Sequence, residues 1–270
     1  MSRALGRAVP LSLVVPVFNE EDRACKSAPL LATFVSSCPP NSELIFVDDG
    51  STDQTCAVIE ELLAEHPNVA TRLIRRPHLG KGAAVSSGIR AASCSYVGFC
   101  DVDLATSFDD VRHLLDIASE THALTIGSRA LSQSRIVDHE RRSREILGRA
   151  YNRLIRLSLA PGIFDTQCGA KVAPRAVWDA VLARCEEPGF AWDVEVVGTA
   201  LALGIEVREV PVTWTHDHRT RVRVLRDGAG MVVALGGIRR RIRALRRSPA
   251  SFSLEDHGLV VLVDDAPAIE

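Results

Sequence analysis

Two aspartates one residue apart, Asp101 and Asp103, stand at the end of the apolar run Gly98-Phe99-Cys100. Residues i and i+2 of a strand project to the same side, so the pair can offer two hard oxygen ligands to one Mg²⁺ or Mn²⁺ that also carries a diphosphate. Paired acids at a strand end are also common turn formers, so the pair gains meaning only from its company. Val47-Asp48-Asp49-Gly50-Ser51 is another run that ends in paired acids, and Val14-Val15-Pro16-Val17-Phe18-Asn19-Glu20 is a third apolar run that ends in polar groups.

The elements that must position these groups can be read from periodicity. Strands are predicted at 11–17, 43–48, 70–75, 95–100 and 123–127, with helices at 21–36, 53–65, 81–92 and 108–120 between them. Such alternation means βαβ crossovers and an α/β fold, Rossmann-like, with a mainly parallel sheet covered by helices on both faces. Ligands of open α/β sheets sit outside the carboxyl ends of the strands, where each acidic cluster falls. Asp53, after Gly50-Ser51-Thr52, is placed to cap the second helix, and Pro67 ends it. The second half is expected to carry an Arg-rich helix at 141–159, a short helix from Pro174, a helix around 192–203 and a one-sided or edge strand at 205–212. A last helix at 226–247 begins apolar and finishes basic, as a segment lying against a membrane interface or another subunit does. Residues 248–270 form an acidic tail in which Leu259 to Val263 could add an edge strand.

Composition narrows the class. A chain of 270 residues with 46% hydrophobic content can bury its own core as one large α/β domain. It has no apolar run of membrane-spanning length and no secretion-signal h-region at its start. Seven cysteines without a C-x-x-C spacing predict reduced thiols, with Cys168 a buried inert one. The net charge of −2 hides a separation: residues 135–156 hold seven arginines against three acids, and residues 219–247 hold ten against one. An anionic partner met at one face follows, either a phosphorylated substrate or an anionic membrane surface. Nucleic acid is not expected, because no recognition helix, aromatic platform or zinc spacing accompanies the charge.

Gly80-Lys81-Gly82 lacks the third glycine of a dinucleotide fingerprint and follows the third strand, and no P-loop motif exists. A metal-assisted nucleotide-sugar enzyme fits better, with strand-end acids meeting base, ribose and metal, and Lys81 meeting phosphate. The motifs in order, Val14 to Glu21, Val47 to Asp53, Gly80-Lys81-Gly82, Asp101-Val102-Asp103 and Gly127-Ser128-Arg129, resemble family 2 glycosyltransferases of the GT-A fold. Asp165-Thr166-Gln167-Cys168-Gly169-Ala170-Lys171, Phe190 to Glu195 and Glu209 to Trp214 resemble polyprenyl-phosphate hexosyltransferases, within them the dolichyl-phosphate β-glucosyltransferase branch. The resemblance covers residues 11 to about 225. It divides the chain into a GT-A catalytic domain (1–225), a basic amphipathic helix (226–247) and the acidic tail (248–270).

This resemblance implies roles. Pro16, Val17, Asn19 and Glu20 would line the nucleotide cleft, Asp48 and Asp49 would accept hydrogen bonds from base and ribose, and Lys81 would sit near the donor. Asp101 and Asp103 would coordinate Mg²⁺ or Mn²⁺. An ionised lipid phosphate needs no strong base to attack the anomeric carbon with inversion, and arginine suits its oxygens. Arg129 is the first choice for that phosphate and Arg144 the second, while Asp193 would contact or position the sugar and Glu195 would be structural. Ala105-Thr106 after Asp-x-Asp-Leu matches the glucose branch and favours UDP-glucose over GDP-mannose. Ala170 replaces the usual Phe or Leu, and neither terminus shows a membrane helix, so a cytoplasmic enzyme held peripherally at the membrane, or by a membrane-protein partner, is expected. A relative using a soluble acceptor, or none, is the alternative.

Overall fold

The computed structural model describes residues 9–138, 142–215 and 224–247, together with 252, 253 and 255. Its first half runs β1 (Leu11–Val17), α1 (Glu21–Ser36), β2 (Glu43–Asp48), α2 (Thr55–Glu65), β3 (Ala70–Arg75), α3 (Lys81–Ala91), β4 (Tyr96–Cys100), α4 (Phe108–Thr121) and β5 (Leu124–Ser128). The second half runs β6 (Arg135–Ile136), α5 (Arg142–Ser158), β7 (Ala170–Pro174), α6 (Arg175–Leu182), α7 (Trp192–Ala202), β8 (Val207–Pro211), β9 (Thr213–Trp214) and α8 (Val224–Arg247).

Seven strands lie in the order β3-β2-β1-β4-β7-β5-β8, and β6 pairs with β9 in a separate two-stranded sheet. Pairing in the large sheet is parallel except at β7, which runs antiparallel to both β4 and β5. β2, β4, β5 and β7 are buried along their whole length, the mark of a sheet covered on both faces. One core cluster joins Val14, Ile45, Val97 and Phe99 to Trp178 and Trp192, and a second joins Leu11, Leu13 and Phe46 to Leu31, Leu114 and Leu115.

The mainly parallel α/β sheet agrees with the expectation, and β8 lies at its edge as Glu206, Arg208 and Pro211 suggested. β7 is the correction: no strand was expected there. It is short and carries a lysine at its second position, which breaks an apolar strand pattern; the structure buries Lys171 completely and neutralises it inside the protein.

The basic C-terminal helix is α8. Leu235, Ile238 and Ile242 are buried, and Ile242 packs so closely on Gly198 of α7 that a side chain there would clash. Arg241 turns inward, whereas Val232, Val233, Arg239, Arg240, Arg243 and Arg247 are exposed. No helix among the described residues is long and apolar enough to cross a membrane. The segment Leu259 to Val263 lies outside the described residues.

Candidate active site

Parallel pairing brings the carboxyl ends of β1, β2 and β4 to the same end of the sheet. After β2 the chain must turn sharply, and the two acids there are engaged by backbone. Asp48 accepts the N–H groups of Gly50 at 3.3 Å and Ser51 at 3.1 Å. Asp49 accepts those of Leu79 at 3.1 Å and Gly80 at 2.7 Å, strapping this loop to the one that enters α3. Asn19 has a positive φ of 53°, which an asparagine tolerates better than most residues, and its side-chain oxygen accepts the Thr52 N–H at 2.7 Å. The Glu20 N–H donates to Thr55 Oγ1 at 2.8 Å, while the Glu20 carboxylate pairs with Arg23 at 2.9 Å. Pro16 is half-buried and Val17 buried. Asp53 accepts the N–H of Thr55, the first residue of α2, at 3.0 Å. Phe18 stacks on His78 with ring centroids 4.0 Å apart, and both rings are exposed. That aromatic pair was not foreseen; Phe18 lay within a recognised motif, but nothing in the sequence linked it to His78.

Asp101 and Asp103 follow β4. The Asp101 N–H donates to Gly169 O at 3.0 Å, and the Asp101 carboxylate packs onto Gly169 where any side chain would collide with it. Gly169 of the 165–171 motif is therefore a packing requirement of the acid pair. Asp103 accepts the Ala105 N–H at 3.1 Å, and Leu104 between them holds a positive φ of 52°, unusual for leucine. Burial first, and the Asp101 charge second, push the Asp103 carboxyl above the ordinary carboxylate range. Two crowded carboxylates, one with a side chain 34% exposed, are an oxygen-only set of the kind that Mg²⁺ or Mn²⁺ relieves. No cluster of three or more potential metal ligands occurs among the described residues, so a bound ion would draw its other ligands from substrate and water.

Lys81 opens α3, and its ammonium lies 2.7 Å from Asp101 Oδ1 and 3.9 Å from Asp193 Oδ2. Burial works against this charge, but Asp101 and Asp193 more than offset it and push the Lys81 pKa up. Asp193 is the second residue of α7, which is locked to α3 through Trp192: its Nε1 donates to Ser86 Oγ at 2.9 Å, and its ring fills the space that Gly82 leaves. The N-terminal turns of α3 and α7 thus lie side by side, and their side chains Lys81 and Asp193 meet next to Asp101; helix N-termini favour a bound anion. Lys171 reaches the other oxygen of Asp193 at 2.5 Å and donates to Cys168 O at 2.8 Å. The sequence placed Asp193 and Lys81 in the site but missed Lys171, for which the lysine inside an apolar strand was the available signal.

Arg129 lies apart from that row. Its Nε and Nη2 grip Asp165 at 2.7 and 2.9 Å, its backbone N–H donates to the same carboxylate at 3.0 Å, and its guanidinium sits 5.5 Å from the Trp214 ring centroid. Burial opposes ionisation of Asp165, yet the Arg129 charge and these hydrogen bonds hold its carboxyl below the ordinary range. The Arg129 side chain remains 29% exposed, within reach of a ligand. The side chain of Arg144 lies outside the described residues. Glu195 is structural: it accepts the N–H groups of Glu186 at 2.9 Å and Glu187 at 2.6 Å and pairs with Arg241 of α8. Tyr151 Oη and Asn152 Oδ1 on α5, with Thr166 Oγ1 and Gln167 Nε2 nearby in the motif of Asp165, are buried without a hydrogen-bond partner among the described residues. Buried polar atoms of this kind usually meet a ligand or water.

Comparison with known proteins gives the family and the fold. The model of a family described as glycosyl transferase family 2 matches residues 12–182. Glycosyltransferase AglD of Haloferax volcanii is 32% identical over 238 residues, covering 84% of this chain and 36% of that protein. The dolichyl-phosphate beta-glucosyltransferase of Dictyostelium discoideum is 31% identical over 216 residues, covering 76% of this chain and 66% of that protein. The chain thus spans about a third of the first relative and just under two thirds of the second. Among solved structures, glucosyl-3-phosphoglycerate synthase from Mycobacterium tuberculosis in complex with UDP superposes with a TM-score of 0.59 at 22% identity, covering 93% of this chain and 81% of that one. The same enzyme in complex with Mn²⁺, UDP and phosphoglyceric acid gives 0.58 at 21% identity, covering 88% and 77%. The fold is that of the GT-A glycosyltransferases, and the chain belongs to glycosyl transferase family 2.

Proposed function

We propose that the chain is an inverting hexosyltransferase that moves glucose from UDP-glucose onto a polyprenyl or dolichyl monophosphate. One observation carries the reading: an Asp-x-Asp pair at the end of β4 shares Lys81 with Asp193, at a point where the N-terminal turns of two helices lie side by side. This is a place built for a metal-bound diphosphate. The names of the relatives supply the sugar and the lipid phosphate, and Ala105-Thr106 favours UDP-glucose over GDP-mannose.

Asp101 and Asp103 would hold Mg²⁺ or Mn²⁺, and the oxygen-only donor set fits either. When bound, the ion neutralises charge that builds on the departing nucleoside diphosphate. Pro16, Val17, Asn19 and Glu20 shape the nucleotide side, on loops that Asp48 and Asp49 stiffen. Lys81 meets the diphosphate, and Asp193 positions Lys81 and the sugar. The acceptor phosphate, ionised near neutral pH, attacks the anomeric carbon from the face opposite the diphosphate: a phosphate-to-C1 bond forms as the C1-to-UDP bond breaks, with no base required. Arg129, held by Asp165, and Arg144 on α5 meet that phosphate. The exposed arginines of α8 would seat the enzyme peripherally on the cytoplasmic face of an anionic membrane, each contributing about 1 kcal/mol.

The test is transfer of labelled sugar into the organic phase from UDP-glucose or GDP-mannose, with polyprenyl phosphate presented in anionic or neutral vesicles. Label from UDP-glucose, faster on anionic vesicles, abolished by Asp103→Ala and lost through acceptor KM in Arg129→Lys, is the expected outcome. Label that follows GDP-mannose reassigns the donor. Equal rates on both vesicles remove the membrane role of α8, and label left in water despite nucleotide binding removes the lipid acceptor.

A further inference from the structure

Lys171 has no part in the roles assigned above, yet it is a completely enclosed charged side chain in contact with a site residue. It is 0% exposed, on a strand in the middle of the sheet. An ammonium there is costly unless its partners are fixed, and they are: Cys168 O at 2.8 Å and Asp193 Oδ1 at 2.5 Å. The second Asp193 oxygen faces Lys81, and Lys81 in turn bonds Asp101. The ring of Phe99 stands within 5.3 Å of the Lys171 ammonium and 5.7 Å of the Lys81 ammonium, adding an aromatic contact to each cation. The groups therefore alternate in sign, Lys171, Asp193, Lys81, Asp101, with Asp103 as a further acid beyond.

This order has a consequence for Lys81. A divalent cation held by Asp101 and Asp103 would compete with Lys81 for Asp101 and would repel its ammonium. Asp193 is the neighbouring carboxylate that can keep Lys81 in the site. If Asp193 lacked Lys171, its uncompensated charge would draw Lys81 fully onto itself, out of reach of a diphosphate. We infer that Lys171 is a positioning residue for the donor: by occupying one oxygen of Asp193 it limits that carboxylate's hold on Lys81, leaving Lys81 able to move from Asp101 to the nucleotide diphosphate. The inference rests on the proposed function, since it needs a metal and a diphosphate at Asp101.

Binding of Mn²⁺ alone and of UDP with Mn²⁺, measured by calorimetry and Mn²⁺ spin resonance, tests it on wild type, Lys171→Met, Asp193→Asn and the double variant. In Lys171→Met, UDP affinity should fall at least tenfold while Mn²⁺ alone binds as tightly as to the wild type, or more tightly, because Lys81 has left Asp101. The double variant should bind UDP no more weakly than Asp193→Asn alone, because Lys171 acts through that carboxylate. General structural damage would instead weaken both ligands together. Should Lys171→Met fail to fold, the double variant, which buries no uncompensated carboxylate, and Lys171→Arg, which should bind UDP better than Asp193→Asn, decide the matter. Unchanged UDP binding in Lys171→Met, parallel loss of both ligands, or losses that multiply in the double variant overturn the inference. Failure of the wild type to bind UDP at all overturns the proposed function along with it.

Discussion

The carboxylates of the turn after β2 and those in the second half of the chain are held by different means. Asp48 is held by backbone N–H groups of its own turn, and Asp49 by the N–H groups of Leu79 and Gly80, with His78 at 2.8 Å and Arg76 at 3.7 Å beside them. Asp165, Asp193 and Glu195 pair instead with the side chains of Arg129, Lys171 and Arg241. A backbone donor cannot be mutated away or titrated, whereas a cation can be removed by one substitution. The first region is therefore robust in its loops, and the second is poised on a few ion pairs whose loss strands a buried charge. Breaking a buried pair from one side costs about 3–5 kcal/mol, against about 1–3 kcal/mol for an unmet hydrogen bond.

Three substitutions grade this contrast. Arg129→Met should be the most damaging, destabilising the fold by about 3–5 kcal/mol in denaturant titration, because Asp165 is fully buried and keeps only its backbone donors. The wild-type pair also has a pH signature. The Asp165 pKa is depressed in the folded state, so its stabilisation is complete above the ordinary carboxylate range and is lost as pH falls through the lower folded value. Acid titration of Arg129→Met should lack that low-pH step. Arg241→Met should cost less, about 1–3 kcal/mol, since Arg241 gives Glu195 one side-chain hydrogen bond where Arg129 gives Asp165 two, and the N–H groups of Glu186 and Glu187 remain. Its clearest readout is earlier proteolytic release of α8. Asp49→Asn should cost least, about 1 kcal/mol in the same titration, because the amide oxygen can still accept one of the two backbone donors, the His78 ring it also faces is open to solvent, and Arg76 stands at the longer distance of 3.7 Å. A larger loss in Asp49→Asn than in Arg129→Met would erase the distinction.

The same contrast explains what could be read from the sequence. The first five strands and four helices were legible because their apolar runs and turn residues are local, and the acids stood at strand ends where ligands sit. Asp101, Asp103, Lys81 and Asp193 were named, and Lys81 lies 2.7 Å from Asp101 and 3.9 Å from Asp193, with Asp103 two residues beyond Asp101. What stayed hidden depends on distant pairing: Lys171 with Asp193, Arg129 with Asp165, and Phe18 with His78. Each links segments whose approach is set by the sheet order, which periodicity does not encode. β7 escaped for a related reason, since its only polar side chain, Lys171, is satisfied by a residue 22 positions away.

The place of β7 also constrains how the molecule can assemble. β4 and β5 are consecutive in the chain but are separated in the sheet by a strand made later, which pairs Tyr96 with Pro174 and Ile126 with Lys171. Until that strand arrives, both neighbours expose unpaired edges, and closing the slot means threading a segment antiparallel between them. Such non-local pairing is slow, and open edges invite pairing with other chains. Because Asp101 is tied through its backbone to Gly169, the acid pair reaches its final setting only when the slot is closed, so completion of the acid pair and loss of the aggregation-prone edges are one folding event.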